Sequence, residues 1–211
     1  MKRKLLYFLL SLFIILTACA QSPAVNPSSN VKKQLPVVQV EGDRDVIAKN
    51  LQELEDRSSI IIRGFLHEDA KQKDCLTGDK FLYGITLSSL EVTQAYKGEF
   101  SKGDIIQLGE AYYTQVYDGE EKLYCFGNYR PSEVNKEYLF FLWNPPSKDG
   151  WWSGIYEPVL LEQGRYPVLN KNKKISLASI QSMKNEEFNL GEDDISIYLS
   201  LIQISEPTRP R

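Results

Sequence analysis

The sequence predicts a mainly β domain: a small barrel of short strands with one helix in front of it. Three observations carry this. Short β-branched and aromatic segments recur at regular spacing, separated by Gly, Asp and Asn turns. One segment, Phe81 to Tyr96, is long, and its apolar residues change parity part-way. Helical periodicity is clear in one place, Asp45 to Arg57, where Val46, Ile47, Leu51 and Leu54 line one face.

Each element follows in order. Asp43 and Asp45 suit the positive N-terminal end of the helix, and Glu53 and Arg57 stand at i, i+4. Ser59 to Leu66 is β-branched, passes Gly64, and reads as a strand. His67 to Lys80 is polar and reads as a loop carrying Cys75. In the long strand Ile85 and Leu87 share one parity, Leu90 and Val92 the other. A β-bulge or a sharp coil of the strand at Ser88-Ser89 would produce that switch, and a strand that changes face is how a five-stranded barrel shares one strand between two sheets. Lys97 to Asp104 is a turn with two glycines, and Ile105 to Tyr117 is the next strand, ending at Asp118-Gly119. Leu123 to Phe126 is a short strand with Cys125. Glu137 to Trp143 is an apolar strand stopped by Pro145-Pro146. Ile155 to Leu161 and Arg165 to Leu169 complete the strands, and Leu177 to Lys184 reads as a short helix near the C-terminus.

The 211 residues suit one domain with tails. A hydrophobic fraction of 42% and a charged fraction of 25% exclude a wholly disordered chain, a collagen-like repeat and a polytopic membrane protein. The formal charge is −3 and the sequence pI about 5.4, which argues against a nucleic-acid partner. The chain has one histidine, so a two-His zinc site is excluded.

The N-terminus reads as a targeting segment. Lys2, Arg3 and Lys4 precede an apolar run, Leu5 to Leu16, broken by Ser11 and too short to span a bilayer. Leu16-Thr17-Ala18-Cys19 resembles the bacterial lipobox. The resemblance implies cleavage after residue 18, a lipid on Cys19, and a protein on the outer face of the cell membrane of a Gram-positive bacterium. Two or three acyl chains anchor durably where one does not. Residues 19–40 are then the lipidated cysteine and a flexible tether, rich in Ser, Pro, Asn, Gln and Lys. The domain proper runs from 41 to 198. Residues 199–211 resemble a translated sequencing-library adapter, with Gln203 where that string has His, and are set aside as a non-native tail. Processing and loss of the tail take the charge to −7, from 20 basic and 27 acidic residues.

Cys75 and Cys125 remain, in a compartment that permits disulfides. An even remainder favours one bridge, which would contribute about 4 kcal/mol by loop entropy. Two separate buried thiols are the competing reading. With His67 they offer at most three metal ligands without tight spacing, so no metal and no cofactor is expected.

The string from Ile85 to Gly98, continued by Lys102-Gly103-Asp104-Ile105-Ile106, resembles the first hairpin of netrin-like (TIMP-like) OB-fold domains of bacterial secreted proteins. Ile60 to Gly64 and Glu137 to Leu142 resemble neighbouring strands of the same family, over about residues 58–176. The resemblance implies an OB-like barrel among Firmicutes lipoproteins and supplies little function. Animal members inhibit metalloproteases through a free N-terminal cysteine amine; here Cys19 would be acylated and more than twenty residues away, so that mechanism does not transfer.

No catalytic constellation assembles. His67 lies beside Glu68 and Asp69 without a nucleophile. The Lys-Gly turns lack P-loop spacing, Glu192-Asp193-Asp194 lacks EF-hand spacing, and Glu110, Asp118, Glu120 and Glu121 are scattered. The aromatics stand out instead. Tyr112 and Tyr113 sit on one hairpin, and Trp143, Trp151 and Trp152 flank the loop Asn144 to Gly150. Such residues form ligand surfaces on OB-type barrels, and with a negative chain the ligand is a cell-envelope protein, peptide or glycan. The expectation is a non-enzymatic binding module, ahead of a protease inhibitor acting through barrel loops and of a cell-envelope enzyme.

Overall fold

A computed structural model describes residues 35–41, 47–144, 150–168, 196–198, 200 and 201. Its elements run β1 (Val37–Val40), α1 (Leu51–Arg57), β2 (Ile60–Leu66), β3 (Lys71–Thr77), β4 (Lys80–Lys97), β5 (Ile105–Glu110), β6 (Tyr112–Tyr117), β7 (Glu120–Phe126), β8 (Glu137–Trp143), β9 (Ile155–Pro158), a 3-10 turn (Leu161–Gly164) and β10 (Arg165–Pro167). A helical turn, α2, includes residues 196–198, 200 and 201. Among the described residues no helix is long and apolar enough to cross a membrane.

Five strands close a barrel in the order β2-β4-β5-β9-β8, with β8 returning to β2. The β5–β9 pair is parallel and the other four pairs are antiparallel. This is the mainly β, OB-like barrel with a preceding helix that the sequence predicts. A second sheet, β1-β7-β6, is built from the excursion between β5 and β8 together with the first strand of the chain.

Strand alternation divides the apolar residues between two cores. Ile60, Ile62 and Leu66 of β2, Leu90 and Val92 of β4, Ile106 and Leu108 of β5, and Tyr138, Phe140 and Leu142 of β8 fill the barrel. The intervening Ile61 and Phe141 face outward. They pack in one cluster with Val159, Tyr166, Ala48, Leu54, and Ile197 and Tyr198 of α2. This explains why Ile60 to Ile62 of β2 and Tyr138 to Leu142 of β8 read as continuous apolar runs: both faces are covered there. Burial of these side chains contributes about 1.5–3 kcal/mol each. Gly64 stands where β2 crosses β4, and a Cβ there would lie 2.4 Å from the Glu91 carbonyl oxygen.

Helix α1 starts later than the periodicity predicts. Asn50 is its N-cap, with its side chain accepting from Glu53 N at 2.9 Å, and the Glu53 carboxylate accepts from Lys49 N at 3.0 Å. Its other end is tied to the barrel by the Trp143 indole, which donates to the Arg57 carbonyl at 2.9 Å.

Several expectations are corrected. The polar segment His67 to Lys80 is not a loop: Lys71–Thr77 pairs with β4, and β2 and β3 together form one broken arm of a long hairpin turning at Gly78-Asp79. No bulge occurs at Ser88-Ser89, where β4 pairs with β5 without a register shift from residue 86 to 91. The shifts lie where β4 faces Ile61/Ile62, Arg63/Gly64 and Cys75/Leu76. The segment Ile105 to Tyr117 is two strands, because the chain leaves the barrel at Ala111 for the second sheet. Asp118 and Gly119 both have positive φ, the two-residue turn that suits a twisted hairpin. The stretch read as tether ends inside the fold: Val37–Val40 runs parallel to β7, with Val37 opposite Leu123 and Val40 opposite Phe126. The helix expected at Leu177 to Lys184 lies outside the described residues.

Candidate functional site

Two connections of the barrel meet. The β3–β4 hairpin lies between the first and second barrel strands, and the segment after Trp143 joins the fourth to the fifth. Trp151 from the second packs on Tyr83 from the first, ring centroids 5.5 Å apart and nearly perpendicular. Its Nε1 donates to the Asp74 carbonyl of β3 at 3.1 Å. Its own carbonyl accepts from Lys73 Nζ, and that ammonium lies 5.1 Å from the centre of the Trp151 ring. Trp152 stands edge to face against Trp151, 4.6 Å away at 84°, so the two indoles form a right-angled corner.

The aromatic contacts continue inward. Tyr83 meets Phe126 at 6.1 Å, Phe126 meets Tyr113 at 6.0 Å, and Tyr113 touches Phe81 at 5.4 Å and stacks on Tyr124 at 5.1 Å. This strip joins the second sheet to the barrel hairpin. Gly84 permits the contact, since a Cβ there would lie 2.9 Å from Tyr113 Cβ. Tyr113 is buried, while Trp151, Trp152, Tyr83 and Phe126 are half-buried.

Polar groups border the corner. Burial pushes the Glu157 carboxyl above the usual carboxylate range. The Tyr83 phenol is raised by burial first, then by a hydrogen bond with Cys75 and the charge of Glu157. Asp74 accepts from the Gln72 amide at 2.7 Å.

Of the residues singled out in the sequence, Trp151 and Trp152 form the corner, and Tyr113 anchors the strip leading to it. Tyr112 is not in the chain of ring contacts. Its carbonyl accepts from Thr86 Oγ1 at 2.9 Å, and burial followed by the charge of Glu110 raises its phenol well above the ordinary value. Trp143, partly exposed, donates its indole N–H to the Arg57 carbonyl and stands opposite Glu157 across β8 and β9. The disulfide is corrected: Cys75 and Cys125 are both free thiols. Cys75 lies on β3 opposite Tyr83, and Cys125 lies on β7 between Gln39 of β1 and Tyr112 of β6. Burial raises the Cys125 thiol, against the pull of Arg130. Cys19 lies outside the described residues.

Two polar clusters escape the sequence reading. The first is buried. Glu110 extends the inward parity of Ile106 and Leu108, and Arg165 pairs opposite inward-facing Phe140. Their side chains are each 1% exposed, 3.7 Å apart. Glu110 Oε1 accepts from Tyr129 OH at 2.9 Å, Ser132 N at 3.0 Å and Ser132 Oγ at 2.6 Å. Arg165 donates to Ser132 Oγ at 2.7 Å and lies 5.0 Å from the ring centres of both Tyr129 and Tyr138. The only forewarning in the sequence is the spacing 106-108-110. The second cluster covers the outer face of β2 and β4, where Arg63 pairs with Glu137, His67 with Glu91 at 3.0 Å, and Asp69 accepts from Ser89 N at 3.0 Å. The Ser89 bonds hold the Asp69 carboxyl below its usual range. Ser89 N thus donates to Asp69 while His67 pairs with Glu91.

Among the described residues no group of three or more His, Cys, Asp or Glu side chains is placed to hold a metal ion. The arrangement that remains is a rigid aromatic corner edged with a carboxyl, a phenol and an engaged ammonium, suited to stacking and hydrogen bonding. No protein-family model, curated protein or solved structure matches the chain.

Proposed function

We propose that this chain is a non-enzymatic binding module, anchored through a lipid on Cys19 to the outer face of the cell membrane, that takes a cell-envelope peptide or glycan on the Trp151–Trp152 corner. The observation that carries the reading is the bridge made by Trp151. It fixes an indole pair between the connection from the first to the second barrel strand and that from the fourth to the fifth. In OB-type barrels those two connections flank the ligand-binding face. Tyr and Trp supply large contact area at low cost in side-chain entropy.

The test compares capture from cell-envelope extract by the full chain and by its Trp151→Ala and Trp152→Ala variants, with bound material identified by mass spectrometry. A specific partner lost in both variants supports the corner; unchanged capture removes it. Turnover of an envelope substrate, abolished by one carboxylate substitution, would overturn the non-enzymatic assignment. Incorporation of labelled palmitate, lost in Cys19→Ala, checks the anchor.

A further inference from the structure

We infer that β1 is a dimerisation edge, joined antiparallel to the same strand of a second copy across a twofold axis at Val38. Among the described residues four strands have a single partner strand: β1, β3, β6 and β10. A row of unpaired main-chain groups accepts another strand, and folds blunt such edges with charges, prolines or covering side chains. Three of the four are blunted. On β3, Lys71, Lys73 and Asp74 carry charge, and the Asp74 carbonyl accepts from Trp151 Nε1 at 3.1 Å. On β6 the Thr114 amide donates to Gln72 Oε1 at 2.8 Å, and the Tyr112 carbonyl accepts from Thr86 Oγ1 at 2.9 Å. On β10 Pro167 has no N–H to offer, and its carbonyl accepts from Tyr198 OH at 3.2 Å.

Strand β1 has none of these protections. The Pro36 and Val40 carbonyls accept from Leu123 N and Gly127 N, each at 2.9 Å, so residues 36, 38 and 40 turn to β7. Alternation turns the amide and carbonyl of Val37 and of Gln39 to the open side. Among the described residues no side chain bonds these four groups. Pro36 faces β7, so its missing N–H does not guard the open side. The strand's own pattern names the partner. Residues 35–40 are uncharged, so two copies of an acidic chain meet at a neutral seam. An axis at Val38 lays residues 35–41 along their counterparts. Val37 then exchanges both main-chain bonds with the partner's Gln39, and Val38 stands opposite the partner's Val38. Glu41 falls opposite the partner's Leu35, so no like charges face each other. The side chains agree with this register. Tyr113, Tyr124 and half-buried Val38 are direct neighbours across β6, β7 and β1, and Val38 ends that row. A second copy continues the row through the partner's Val38, and the two three-stranded sheets become one. The same patch serves both copies, as a twofold interface requires.

Disulfide trapping in the full chain, with Cys19→Ser and Cys75→Ser as background, tests the inference. Val38→Cys sets two thiols in a non-hydrogen-bonded pair, with Cα atoms about 4.5 Å apart and within disulfide reach. Mild oxidation is expected to give a covalent dimer at least tenfold faster than with Val116→Cys, an exposed control on β6. Gln39→Pro removes an N–H that faces the seam and spares the β7 ladder. Added to Val38→Cys, it should slow trapping at least tenfold with circular dichroism and melting temperature unchanged. A Val38→Cys chain that traps no faster than the control, or as fast with Gln39→Pro, overturns the inference. Sedimentation supplies a check that needs no proline. Val38→Lys sets like charges across the axis and should raise the concentration for half-dimerisation at least tenfold; an unchanged value, or a parent chain that stays monomeric, overturns the pairing. Uptake of an alternating Val-Thr hexapeptide by a monomeric parent chain, read by calorimetry, gives the edge to a foreign strand and overturns the second copy as its occupant.

Discussion

Arg165 and Lys73 are both held over aromatic rings, in opposite settings. Arg165 lies between Tyr129 and Tyr138 at 5.0 Å from each, 1% exposed, with Glu110 and Ser132 at its guanidinium. That cation is buried together with both rings. Lys73 lies over a single indole at 5.1 Å, and the second indole, Trp152, turns away at a right angle, half-buried. The same cation–aromatic chemistry closes one region and leaves the other with a surface to offer. The closed cluster serves the fold, and the half-buried indole pair is where the proposed binding surface lies.

The strongest way to break this comparison is Arg165→Ala. It strands the Glu110 carboxylate inside the barrel, and a loss of about 3–5 kcal/mol is expected in urea denaturation. The double variant Arg165→Met/Glu110→Leu should recover most of it, because neither member of the pair is then left buried without the other. A loss under about 1 kcal/mol for the single variant would mean that the closed region holds nothing together. Next comes the corner. Trp151→Ala removes contacts to Tyr83, Lys73 and Asp74 and should cost about 2–3 kcal/mol, with Trp152→Ala below about 1 kcal/mol. Equal losses would erase the distinction between support and platform. Asn50→Ala removes the cap of α1 and should lower stability by about 1 kcal/mol without touching either region.

The smallest effect is a pH dependence. The Glu157 pKa is raised by burial, so its neutral form is favoured in the fold. Below its unfolded value, about 4.3, the carboxyl is neutral in both states and its contribution is fully present. As pH climbs through the raised folded value, that contribution is lost. Melting curves should therefore show Glu157→Gln gaining on the parent chain from pH 4 to pH 8, with no gap at pH 4. A gap that widens toward acid would show that the carboxylate, not the acid, is the form the corner stabilises.

Much of the barrel is legible in the residues. The β-branched run of β2, the length of β4, and the Asp118-Gly119 turn each name their element. Segment β3 is not legible, because Lys71 to Thr77 is a mostly exposed ribbon paired on one edge and carries no apolar alternation. The parity change in β4 invites a bulge at Ser88-Ser89, yet both parities are buried for another reason. Ile85 packs on the outside against Gly109, next to Ile155, while Ser88, Leu90 and Val92 point inward. Counting cysteines suggests a bridge and cannot see that strand pairing places Cys75 and Cys125 in different sheets. The indole pair is visible in the sequence. Its partner Tyr83 is not, since only the hairpin brings it there, and neither is the bond from the Trp143 indole to the Arg57 carbonyl.

The seam that closes the barrel has a kinetic consequence. The hairpins at Gly78-Asp79 and Asp118-Gly119 join near neighbours and close in microseconds. The β2–β8 seam pairs Ile60 with Leu142 across more than a third of the chain, so its loop entropy must be met before any contact repays it, on the millisecond-to-second scale of such barrels. Trp151 follows β8 in the chain. In refolding, the corner's indole fluorescence should rise with the slow phase that protects the β8 amides, so the aromatic corner is assembled only in the last step of folding.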